Sequence, residues 1–152
     1  MRFKIIIGTV ILVIVLLIST FYFFVKRESS PYKSEVTVEE CEDNYQKASE
    51  MLMERYLSHY CSPLVGRSNF LTDYKVSKID AYDNTNGSES IRNQKDRYEF
   101  FVTYNVRMFT NNDWIAGNGK IEKDGWVDGK VAFGSYHKKD NRYILDNIGT
   151  GP

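Results

Sequence analysis

From Tyr98 to Phe109 two sets of side chains alternate without a break. Tyr98, Phe100, Val102, Tyr104, Val106 and Met108 make one set; Glu99, Phe101, Thr103, Asn105, Arg107 and Phe109 make the other. Successive side chains of a strand point to opposite faces, so Arg97 to Thr110 reads as a long β-strand with one wholly apolar face. That face must be covered by a second layer. The other face is mixed. A surface left only to water seldom carries two phenylalanines beside Thr, Asn and Arg.

The covering layer is expected upstream. Thr37-Val38-Glu39-Glu40 has the form of a capping box, with Thr37 as N-cap and Glu40 three residues on. Glu39, Glu40, Glu42 and Asp43 suit the positive end of a helix dipole, and no Gly or Pro follows until Pro63. Val38, Cys41, Tyr45, Ala48, Leu52 and Tyr56 recur at spacings of three and four, widened by Met51, Met53, Leu57 and Tyr60. One helix of about 25 residues is expected, stopped at Ser62-Pro63 because a residue before proline is pushed out of the α region. Its polar face is acidic, which argues for core packing and against lying on a membrane. Cys41 and Cys61 would sit about 30 Å apart on it, far beyond disulfide reach. They read as small buried hydrophobes; a bridge between them would require a hairpin instead. His59 and Cys61 have too few neighbours for a structural zinc site, and no metal or cofactor is expected.

The remaining segments read as sheet. Phe70 to Asp83 shifts its apolar parity as a bulge near Lys78 would. Asp83 to Lys95 is a polar loop around Asn86-Gly87; Asn86-Gly87-Ser88 also matches a glycosylation acceptor, though a turn alone explains it. Gly117 and Gly119 lack the companions of a dinucleotide or phosphate loop. Gly125, Gly129 and Gly134 are expected to divide the next region into short strands, Gly125 to Lys130 and Val131 to His137. Lys138 to Asn141 is a turn, and Tyr143-Ile144-Leu145 the last strand.

Ile5 to Val25 holds no charged side chain. About 20 apolar residues cross a bilayer as a helix, and this run is longer than a signal-peptide core and lacks a small-x-small exit. The division expected is a tail over 1–4, a transmembrane helix over 5–25, a linker over 26–36 and a globular domain over 37–152. This places the chain at a cell membrane as a single-pass protein with its C-terminal domain outside the cytoplasm. The alternative is a cleaved secretory signal.

The formal charge is zero, from 20 basic and 20 acidic residues. Five of the basic residues and one acidic residue precede Ser34, leaving 15 against 19, so the rest carries about −4. An acidic domain is a poor partner for a phosphate backbone, and nucleic-acid binding is not expected.

The fold class expected is α+β: a transmembrane helix, then one long helix on a curved antiparallel sheet of about four strands. That element order over Thr37 to Pro152, ending in Tyr143-Ile144-Leu145-Asp146-Asn147-Ile148-Gly149-Thr150-Gly151-Pro152, resembles the cystatin-like and nuclear-transport-factor-two-like superfamily in a small membrane-anchored bacterial form. Domains of this type recur in conjugation and type IV secretion scaffolds, so the resemblance implies a protein-interaction role in the cell envelope. The residues expected to carry it are Phe101, Thr103, Asn105, Arg107 and Phe109, with Trp126 and Tyr136 alongside. Their face serves either a partner protein or self-association. Two alternatives remain: a ligand-binding or enzymatic pocket using a buried carboxylate among Asp80, Glu99, Asp113 and Asp146, and an immunity or inhibitor protein.

Overall fold

The computed structural model describes residues 12–16, 32–62, 65, 69–109, 114 and 117–149. Most of the uncharged N-terminal run, the tail over 1–4 and the first part of the expected linker lie outside these residues. Residues 12–16 are helical and exposed. Among the described residues no helix is long and apolar enough to cross a membrane, and the longest has 16 residues with charged side chains on its open face, short of the span a bilayer requires. On that finding the transmembrane helix of the expected fold class, the single-pass description and the cell-membrane placement are corrected; the expected boundaries over 1–4 and 5–25 lie outside the described residues, apart from 12–16.

The expected 25-residue helix is also corrected. Glu35–Thr37 is a strand (β1), and the helix (α1) is Tyr45–Tyr60. The Thr37–Glu40 capping box does form: Glu40 Oε2 accepts from the Thr37 N–H at 2.8 Å, and the Glu40 N–H reaches Thr37 Oγ1 at 3.3 Å. It caps only a single turn. The Asp43 N–H bonds Val38 O and the Glu42 N–H bonds Glu39 O, the paired bonds that close a helix C-terminus. Glu42 (φ 57°) and Asp43 (φ 51°) both lie in the left-handed region, which costs a residue with a side chain about 1 to 2 kcal/mol. Tertiary contacts hold them there, since Asp43 Oδ1 accepts from Tyr143 Oη at 2.8 Å and pairs with Lys138 Nζ. Asn44 then caps α1, its Oδ1 accepting from the Lys47 N–H at 3.0 Å.

The sheet has six strands rather than about four. After α1 come β2 (Leu71–Tyr82), β3 (Arg97–Met108), β4 (Lys120–Ile121), β5 (Trp126–Lys139) and β6 (Arg142–Gly149). Their order is β1-β6-β5-β3-β2, all antiparallel, with β4 beside the start of β5. The chain therefore enters at one edge, and α1 carries it to the opposite edge. From there β2, β3, β5 and β6 meander back to close on β1.

The strand β1 and buried Ser34 come from the segment read as linker. Ser34 Oγ donates to Leu52 O at 2.9 Å, and the Leu145 N–H donates to Ser34 O. The bulge in β2 falls between Val76 and Lys78. The glycines do not divide β5: Gly125 precedes it, and Gly129 (φ 68°) absorbs a bulge opposite Asn105. Its partner strand β6 follows a two-residue turn at Asp140 (φ 48°) and Asn141 (φ 62°), the conformation that matches strand twist in a tight hairpin.

The core lies between α1 and the inner sheet face. Leu52, Met53 and Leu57 of α1 meet Phe100, Val102, Val106, Val127 and Ala132. At one end Tyr98, Tyr136 and Tyr143 pack ring to ring at 5.2 to 5.9 Å, with Tyr136 Oη donating to Tyr45 O at 2.7 Å. Lys130 is buried among the inner residues, its Nζ donating to Trp114 O at 2.9 Å and Asn118 O at 3.0 Å, and burial lowers its pKa. Cys41 is buried and Cys61 caps α1; both are free thiols on either side of the helix.

Candidate functional site: the outer sheet face

Strand register assembles the surface opposite α1. Phe101 stands between Asp80 of β2 and Phe133 of β5; Thr103 stands between Lys78 and Val131. Arg107 lies between Asp73 and Trp126, Glu99 between Tyr82 and Ser135. The centre is a block of four: Phe101, Phe133, Thr103 and Val131. The two rings meet edge to face at 5.0 Å, a favoured aromatic geometry. Phe133 remains 53% exposed, because its β6 neighbour is Gly149.

Charged and polar groups surround that block. Lys78 Nζ pairs with Asp80 at 2.6 Å. Glu99 accepts from the Ser88 N–H (3.1 Å), Ser88 Oγ (2.8 Å) and Ser90 Oγ (2.6 Å). Partial burial pushes its carboxyl up, but those bonds outweigh it and hold the pKa below the ordinary value. Asp146 bridges His137 Nδ1 (2.8 Å) and Arg97 (2.9 Å). At the other end Lys75 Nζ lies 5.3 Å from the Trp126 ring centre, a cation–π contact, in an open cleft of about 560 Å³ that also includes Asn105, Asp124 and Asp128.

Of the residues expected from sequence, Phe101, Thr103, Asn105, Arg107 and Trp126 share this face. Two of them also build it: Asn105 Oδ1 accepts from the Gly129 N–H at 2.9 Å inside the bulge, and Arg107 Nε donates to Asp124 O at 3.2 Å. Phe109 lies beyond the end of β3, 67% exposed and 6.3 Å from the Phe70 ring. Tyr136 is on the opposite side, fully buried opposite Tyr98. Sequence reasoning missed Phe133. The signal was the alternation of Val131, Phe133, Ser135 and His137 against Ala132, Gly134 and Tyr136, hidden once Gly129 and Gly134 were read as breaks.

The carboxylates weighed for catalysis are occupied as described: Asp80 by Lys78, Glu99 by the Ser88–Ser90 loop, Asp146 by His137 and Arg97. Asp113 lies outside the described residues. No group of three or more His, Cys, Asp and Glu placed to hold a metal occurs among the described residues.

The β2 edge of the sheet is treated differently from this face. Beside the groove of about 590 Å³ between α1 and β2, Gln46 Nε2 donates to Ile79 O (3.0 Å) and its Oε1 accepts from the Ala81 N–H (2.9 Å). That is the bonding of one residue of a parallel strand. Two bulges interrupt β2, one between Leu71 and Asp73. Bulges and side-chain caps of this kind prevent edge pairing.

No protein-family model matches the chain, and no curated protein or solved structure matches it.

Proposed function

We propose that the chain is a non-enzymatic protein-interaction module whose docking surface is the outer sheet face around Phe101 and Phe133. The observation carrying this reading is a surface aromatic pair, Phe133 exposed and Phe101 half-buried beside it, with a charged rim, the layout of a binding hot spot enclosed by polar contacts. Support comes also from the contrast with the β2 edge, which is bulged and capped while the face is left open. Among the described residues, the carboxylates weighed for an enzyme, Asp80, Glu99 and Asp146, are tied into ion pairs and loop bonds. An inhibitor or immunity role would use the same face and differ only in partner. The order of elements, a helix followed by a meander of long antiparallel strands, supports the resemblance to the cystatin-like and nuclear-transport-factor-two-like superfamily at the level of architecture.

Site-specific photo-cross-linking in the source cells tests the reading. A benzoylphenylalanine replacing Phe133 is expected to form protein adducts, and the same group replacing Glu50 on α1 is not. Equal labelling at both positions, or none at Phe133, overturns it.

A further inference from the structure

The outer face is self-complementary. A two-fold axis lying across the strands, between the Phe101–Phe133 row and the Thr103–Val131 row, exchanges those rows and keeps β2, β3 and β5 each over its own counterpart. Phe101 then faces the partner's Thr103, and Phe133 faces the partner's Val131. On β2, Asp80 faces the partner's Lys78, and Lys78 the partner's Asp80. At the centre Phe133 meets the apolar Val131 and Phe101 meets Thr103, whose side chain offers a methyl as well as a hydroxyl, and opposite charges meet at the flank. One row further out, Tyr82 falls opposite the partner's Lys75.

From this register we infer that the occupant of the docking surface is a second copy of this chain, stacked sheet on sheet about that axis. The inference rests on the interaction reading above and names its partner. An isologous contact requires each patch to complement itself, and the alternation Lys78–Asp80 does so: the intramolecular pair at 2.6 Å becomes half of a four-charge square. The like charges Arg97 and Arg107 come together only at the far corners. There the roughly 30° angle between stacked sheets opens the contact, and Arg97 is already paired with Asp146. Three strands at about 4.8 Å spacing and four rows along them cover about 400 Å² per copy. The total of about 800 Å² is below the usual range for stable specific interfaces, so a weak, reversible dimer is expected.

Sedimentation equilibrium of the full chain tests this. The weight-average mass should rise with concentration from 17.7 kDa toward twice that value. Phe133→Asp, at an exposed position, should weaken association about 100-fold while leaving the circular dichroism in place and, at dilutions where both chains are monomeric, the melting temperature. Lys78→Glu should weaken it about 10-fold. Combining it with Asp80→Lys should restore association, because the reversed pair is again complementary across the axis. A monomer at every concentration overturns the dimer, as does a dimer indifferent to Phe133→Asp or a double variant no tighter than Lys78→Glu alone. Adducts at Phe133 with a different protein from a monomeric chain would sink the second-copy assignment and leave the interaction reading standing; no adducts would sink both.

Discussion

Asn118 serves Val131 as a strand would. Its Nδ2 donates to Val131 O and its Oδ1 accepts from the Val131 N–H, each at 2.8 Å, the two bonds exchanged by a directly paired antiparallel residue. It does so where β5 lies between the reach of β4, whose Lys120 stands opposite Asp128, and of β6, which ends at Gly149 opposite Phe133. A single carboxamide thus completes the edge. Asn118→Leu should remove both bonds and cost about 1 to 3 kcal/mol, the price of an unsatisfied backbone group. Hydrogen exchange at the Val131 amide should accelerate along with a lower denaturation midpoint. An unchanged exchange rate would mean that something else pairs this backbone.

Gly134 lies directly under the Phe100 ring. A Cβ built there would stand 2.1 Å from Phe100 Cζ and 2.2 Å from Cε1. Gly134→Ala should therefore destabilise the fold by about 1 to 3 kcal/mol through overpacking, visible in chemical denaturation. Adding Phe100→Leu should return part of that loss. If Gly134→Ala alone is neutral, the ring does not rest on the glycine.

Glu42 holds a left-handed φ of 57° at the end of the first turn. Gly occupies that region without steric penalty, and the Lys47 partner of Glu42 is a surface pair of little net value. Glu42→Gly should raise stability by about 0.5 to 1 kcal/mol, read from the denaturation midpoint. Destabilisation instead would show that the Lys47 contact outweighs the backbone strain.

Glu40 supplies a pH signature. Its bond from the Thr37 N–H and its contact with Arg55 lower its pKa to about 2. A carboxyl lowered in the folded state stabilises above its unfolded pKa, and the contribution disappears as pH falls through the folded value. The stability difference between the wild type and Glu40→Gln should be full above about pH 5 and shrink between there and about pH 2. Urea denaturation across that range measures it. A difference that persists undiminished at pH 2 would assign the effect of the substitution to something other than charge.

The strands were the most legible part of the chain, because a period of two survives whatever the strand packs against. The inward set on β3, the bulge near Lys78 and the turn before β6 could all be read from residue order. So could the shared face of Phe101, Thr103, Asn105 and Arg107, which follows from parity alone. The end of the helix pattern was not legible. Residues 37–60 carry a capping box and an unbroken apolar stripe, but two left-handed residues without a glycine divide them. Likewise Gly129 and Gly134 look like breaks in sequence, yet one absorbs a bulge and the other makes room for Phe100.

By itself the residue order determined which side chains alternate along each strand, because that follows from the covalent geometry of an extended chain. Tertiary structure decided where Thr37–Asn44 turns, since the Asp43 carboxylate finds Lys138 and Tyr143 about a hundred residues away. Alternation alone puts Phe133 and Tyr136 on opposite faces of β5, but tertiary structure decided that Phe133 stands directly beside Phe101. That pairing depends on the register of β5 against β3, and register comes from hydrogen bonds between distant segments that no local pattern encodes.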